Sequence, residues 1–117
     1  MSDRYTVVPD LSAEVEIPVN GILSRTLYSD DRVRVVIFGF AAGQELTAHT
    51  APIPAMIHVL QGEARLNLGG DMVEARPGTL VHMTPNLEHG IYAQTPCVVL
   101  LTLIKVPQPL VTPVPLG

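Results

Sequence analysis

The stretch Pro77-Gly78-Thr79-Leu80-Val81-His82-Met83-Thr84-Pro85-Asn86-Leu87-Glu88-His89 holds two turn signals a few residues apart. Pro77-Gly78 stops one segment and Pro85-Asn86 stops the next. The five residues between them, Leu80 to Thr84, are too few for a helix and have the aliphatic, β-branched character of a strand. A histidine, His89, then opens another short segment, His89 to Ala93.

The same punctuation recurs outward in both directions. Pro9-Asp10, Pro18 to Gly21, Asp30-Asp31, Gly43, Pro52 to Pro54, Gly69-Gly70-Asp71 and Thr95-Pro96 each break the chain. Between the breaks the spacing predicts nine strands: Ile22 to Tyr28, Val33 to Phe40, Glu45 to Thr50, Met56 to Leu60, Ala64 to Leu68, Met72 to Ala75, Leu80 to Thr84, His89 to Ala93 and Cys97 to Val106. Many short strands with frequent turns imply an all-β sandwich or barrel. No unbroken helical period of useful length is present. Leu68-Gly69-Gly70-Asp71-Met72 reads as a tight hairpin, because glycine takes positive φ without cost. The first twenty or so residues carry little pattern. The tail 107–117 has prolines at 107, 109, 113 and 115 and cannot supply a central strand, because proline lacks the ladder donor. One domain over residues 1–117, with its core at 20–106, is expected from 117 residues.

Composition narrows function by exclusion. Charged residues are 15% of the chain and the net charge is −4. A nucleic-acid or anionic-membrane surface calls for a basic excess, so neither partner is expected. The polar start Met1-Ser2-Asp3-Arg4-Tyr5 leads into no signal core, and no apolar run approaches the ~20 residues that span a bilayer. Cys97 is the only cysteine and sits in the apolar run Val98-Val99-Leu100-Leu101, which reads as a small buried hydrophobe. A cytoplasmic location fits the absence of cysteine pairs. Met56, Met72 and Met83 read as core packing.

All four histidines, His49, His58, His82 and His89, fall in or beside predicted strands. A β scaffold can bring such residues to one cavity, and neutral imidazole is the commonest metal ligand. Isolated histidines satisfied by hydrogen bonds are the alternative. No carboxylate pair among Glu45, Glu63, Glu74 and Glu88 is placed for acid-base work.

Two segments resemble the motifs of the cupin superfamily. Gly43-Gln44-Glu45-Leu46-Thr47-Ala48-His49, followed by Val59-Leu60-Gln61-Gly62-Glu63, is similar to the first cupin motif, and 77–89 is similar to the second. The resemblance implies a cupin-type jelly-roll β-barrel of the small single-domain kind. By its spacing the first motif histidine is His49 and the second motif's histidine is His89. The chain departs from the pattern at two usual ligand positions, which are Ala51 and Ala55. His82 and then His58 are the candidates to complete an all-imidazole site, on neighbouring antiparallel strands. For His58 this requires a β-bulge, since a residue three places beyond Ala55 faces the other way on a regular strand.

From that resemblance a divalent transition metal is expected: Fe, Zn, Ni, Cu or Mn, held by His49, His89, His82 and His58. The implied function is a metal-binding enzyme acting on a small organic molecule, with dioxygenase-like or isomerase-like chemistry. Two alternatives stand beside it. One is a non-catalytic small-molecule-binding or sensor cupin, favoured by Ala51 and Ala55. The other is a metal-free isomerase with His49 or His89 as base. A homodimer is expected as well, given the mean hydropathy of +0.33.

Overall fold

The computed structural model describes residues 4–105. Val106 and the Pro-rich tail 107–117 lie outside the described residues. Among the described residues nine strands follow one 3₁₀ turn at Leu11–Glu14: β1 (Ile22–Ser29), β2 (Val33–Phe40), β3 (Glu45–His49), β4 (Ala55–Gln61), β5 (Ala64–Leu68), β6 (Asp71–Ala75), β7 (Leu80–Met83), β8 (His89–Ala93) and β9 (Cys97–Ile104). The turn signals therefore place every strand to within a residue or two. The 3₁₀ turn falls in the segment without pattern; its start is capped by the Asp10 carboxylate, which accepts from the Ser12 amide at 3.2 Å.

The strands form two antiparallel sheets, ordered β1-β2-β9-β4-β7 and β3-β8-β5-β6. Short connections at one end join β2 to β3, β4 to β5, β6 to β7 and β8 to β9. Each of these links crosses between the sheets. They stack β2 on β3, β9 on β8, β4 on β5 and β7 on β6, which is a jelly roll. The other end carries the 30–32, 50–54, 69–70 and 84–88 connections and is called the mouth below.

The interior is apolar because each strand alternates. In β4, Ala55, Ile57 and Val59 are buried, while Met56, His58 and Leu60 are only half-buried on the other face. Phe40, Leu66, Ile91 and Val99 join the buried residues in one cluster. Met83 belongs to that cluster, but Met72 is 60% exposed, so the reading of Met72 as core is corrected. It pairs with Asn67 on the outer face of the β5–β6 hairpin. Cys97 is fully buried, and burial pushes its thiol up from the usual range. The N-terminal segment crosses the outer face of β2. Gly39 permits this, since a Cβ there would lie 2.5 Å from the Glu16 carbonyl oxygen.

Candidate functional site

The top layer of inward positions at the mouth is read off the ladders. Met83 pairs with Ala55, Ala55 with Leu103 and Leu103 with Arg34 across the first sheet. His49 pairs with His89, His89 with Leu68 and Leu68 with Asp71 across the second. Below this layer the barrel is filled by the buried cluster.

His49 reaches the interior through an irregularity. β3 pairs with β8 at Leu46↔Ile91 and next at His49↔His89, three steps on one strand against two on the other. This β-bulge turns over the alternation, so that His49 shares the inward face with Leu46. Gly90 lies opposite the bulge. A Cβ at Gly90 would stand 3.0 Å from the Leu46 carbonyl oxygen and 3.1 Å from the Ala48 amide nitrogen. A residue without a side chain is what lets the two backbones approach.

The two imidazoles meet. Their ring centroids are 4.5 Å apart with planes at 52°. His89 is 5% exposed, and His49 is exposed at the rim. Each ring is fixed by its own strand: Nδ1 of His49 lies 3.0 Å from the Thr47 carbonyl oxygen, and Nδ1 of His89 lies 3.0 Å from the Leu87 carbonyl oxygen. A carbonyl only accepts, so both Nδ1 atoms carry the proton and donate. In the neutral form of each ring, Nε2 then carries the lone pair that could bind a metal ion.

The loops that frame the pair are tied together. The Asn86 amide donates to the Ala51 carbonyl at 2.7 Å, with Asn86 in the left-handed region at φ 67°. Leu87 packs against the core and fills the space over Gly69, where a Cβ would lie 2.9 Å from its Cδ1.

His82 and His58 do not join this centre, and the expectation that four imidazoles converge is corrected. His82 pairs with Met56, and His58 with Leu80. All four side chains lie on the outer face of the first sheet, with His82 and Leu80 exposed. The parity objection holds because β4 is hydrogen-bonded on both sides, to β7 and β9. Its one register shift, between Val59 and Gln61, comes after His58. Ala51 and Ala55 leave no substitute ligand: among the described residues no third histidine, cysteine, aspartate or glutamate completes a metal-binding group.

A groove of about 610 Å³ runs between the N-terminal segment and β1–β2, lined by Tyr5, Val8, Leu27, Tyr28 and Val35 among others. It lies on the outside of the first sheet and includes no histidine or carboxylate. The chemistry of the histidine pair, not groove volume, therefore marks the candidate site. Sequence reasoning did not pick out Arg34, the inward-facing cation of the top layer. A charged residue alternating with Val36, Phe38 and Phe40 was the available signal.

Comparison with known proteins agrees with this architecture. The family model for the cupin domain matches residues 36–103. No curated protein matches the chain. Among solved structures, a conserved protein of unknown function from Streptococcus pyogenes is similar at 29% identity, with a TM-score of 0.79 over 87% of this chain and 90% of that one. An RmlC-like cupin protein from Desulfovibrio desulfuricans is similar at 25% identity, with a TM-score of 0.78 over 86% of this chain and 98% of that one. A variant of the salicylate 1,2-dioxygenase from Pseudoaminobacter salicylatoxidans shares the fold, at 13% identity and a TM-score of 0.69 over 72% of this chain and 27% of that one.

Proposed function

The chain belongs to the cupin domain family, and from that footing we propose that it binds a small organic molecule at the His49–His89 pair, the two residues that would hold a divalent transition metal ion. One observation carries the proposal: both Nδ1 atoms are committed to backbone carbonyls, which presents two Nε2 lone pairs from rings 4.5 Å apart. The donor set suits Fe, Zn, Ni, Cu or Mn and leaves most of the coordination shell to water and substrate. When bound, such an ion supplies Lewis acidity or an O₂-activating centre, the basis for dioxygenase-like or isomerase-like chemistry. The chain's own contribution is orientation. The Thr47 and Leu87 carbonyls hold the rings, while Leu46, Leu68 and Leu87 pack against the apolar core beneath the mouth.

A second reading is a metal-free cupin that binds or senses a small molecule. The alanines at 51 and 55 favour it, because they remove two usual ligands. A homodimer accompanies either reading. It is supported by the outer face of β4 and β7, which carries no carboxylate, lysine or arginine and where Leu80 is 62% exposed beside Met56 and Leu60. A sedimentation mass near the 12.6 kDa of one chain would overturn it. No helix among the described residues is long and apolar enough to cross a membrane. The lone buried Cys97 supports a cytoplasmic setting.

Titration of tag-free protein with Co(II), read by absorption and elemental analysis, tests the metal. One ion per chain is expected, lost in both His49→Ala and His89→Ala and kept in His58→Ala and His82→Ala. Uptake below ~0.2 per chain, or uptake that survives His49→Ala, removes the metal from the proposal. A bound organic molecule in metal-free native protein, found by mass spectrometry, establishes the second reading.

A further inference from the structure

The inward faces of the two sheets are almost free of charge. Apart from the histidines, the inward strand positions carry two charged residues, Arg34 on β2 and Asp71 on β6. Both lie in the top layer. Their strands occupy opposite edges of the four stacked strand pairs, about 14 Å apart at the usual strand spacing. Arg34 is on β2, which stacks on β3, the strand of His49. It therefore shares one side of the mouth with the imidazole pair.

Arg34 is exposed at the rim, at the top of an inward face whose β1 neighbours are Ser29 and Thr26. Val36, Phe38 and Phe40 continue its face downward, and Val36 and Phe40 are buried. The guanidinium makes no ion pair with a carboxylate among the described residues. It has one side-chain hydrogen bond: Nη2 donates to Thr26 Oγ1 at 3.2 Å. Thr26 stands at the β1 bulge, where register shifts between Thr26 and Tyr28. One anchored corner leaves the other N–H donors of a planar fork uncommitted, the arrangement that takes a carboxylate through two parallel bonds.

We propose that Arg34 is an anion-recognising residue of the mouth, and that the ligand class is a small organic acid. Its carboxylate pairs with the guanidinium, and its remaining part lies against His49 and His89. This rests on the reading of the histidine pair as the ligand centre. It adds the chemical class of the ligand, which neither histidine decides.

The test uses benzoate and malonate as probes, with benzamide and malonamide as uncharged counterparts. Binding to the full chain is followed by calorimetry and by NMR of the Arg34 Nε–H and the histidine ring protons. At least one acid is expected to bind ~10-fold or more tightly than its amide, shifting both sets of signals. Arg34→Gln is expected to weaken that acid ~10-fold or more, and Arg34→Lys to recover part of the loss by keeping the charge without the fork. Arg76→Gln, at the opposite end of the barrel, leaves affinity unchanged. Thermal melts confirm that the variants fold. The inference is overturned if neither acid binds, if the amides bind equally well, or if Arg34→Gln has no effect. Co(II) uptake is measured on the same samples. Uptake without acid binding overturns the Arg34 inference alone. Arg34-dependent acid binding without uptake removes the metal alone. Acid binding that persists in His49→Ala and His89→Ala without ring-proton shifts overturns the histidine centre.

Discussion

Strands β3 and β4 each carry a histidine, and only one of them turns inward. His49 ends β3, an edge strand hydrogen-bonded only to β8. His58 lies within β4, which is hydrogen-bonded to both β7 and β9. An edge strand can gain a residue by disturbing one ladder. A central strand would have to disturb two. The bulge accordingly sits in β3, where it turns His49 inward, and β4 keeps strict alternation through His58. The expectation that both residues face one centre therefore does not hold for His58.

The largest test of the contrast is in the interior of β4. Ile57 is fully buried between two ladders, so Ile57→Ala should cost about 2–5 kcal/mol in chemical denaturation. Leu46→Ala, at the half-buried position beside the bulge, should cost less. Equal losses would mean that the edge strand is held as firmly as the central one.

Gly90→Ala tests the bulge. The added methyl meets the Leu46 carbonyl and the Ala48 amide, backbone atoms that yield only if the bulge moves. A loss of about 1–3 kcal/mol is expected, together with weaker Co(II) binding as His49 is displaced. Unchanged metal affinity would show that His49 does not depend on the bulge for its position.

Replacing the outward histidines should do least to stability. His82→Ala is expected to change it by less than about 0.5 kcal/mol, since the side chain is exposed. A larger loss that does not depend on protein concentration would assign His82 a packing role within the chain.

A small pH effect belongs to the β1–β2 hairpin, away from both strands. The Tyr28 hydroxyl, then the Arg32 and Val33 amides, donate to Asp30 and hold its carboxyl below the ordinary range. Its contribution is therefore complete above the unfolded value of about 3.9 and is lost as pH falls through the lower folded value. The stability difference between the native chain and Asp30→Asn should be greatest above about pH 5 and shrink on acidification. A difference that grows in acid would contradict the assignment.

Much of this molecule was legible locally. Proline, glycine and asparagine mark turns through their own backbone preferences, so the nine strands could be placed from residues a few positions apart. The cupin motif spacing also put His49 and His89 in corresponding places, and the structure brings those two rings together. Four histidines in one cavity was a different kind of inference, since it required knowing faces across strands. The inward cation Arg34 was hidden for the same reason: in sequence it is one polar residue at the start of an apolar run.

The sequence by itself determined the strand boundaries, the two-motif layout and the loss of two usual ligands at Ala51 and Ala55. Only the tertiary structure decided which face each histidine takes. The facing of His49 depends on a register between β3 and β8, segments some forty residues apart in the chain, and on Gly90 giving the bulge room. That of His58 depends on two ladders locking β4 into alternation. Turns are set by the torsional preferences of single residues, whereas the side of a sheet is set by hydrogen bonds to strands remote in sequence.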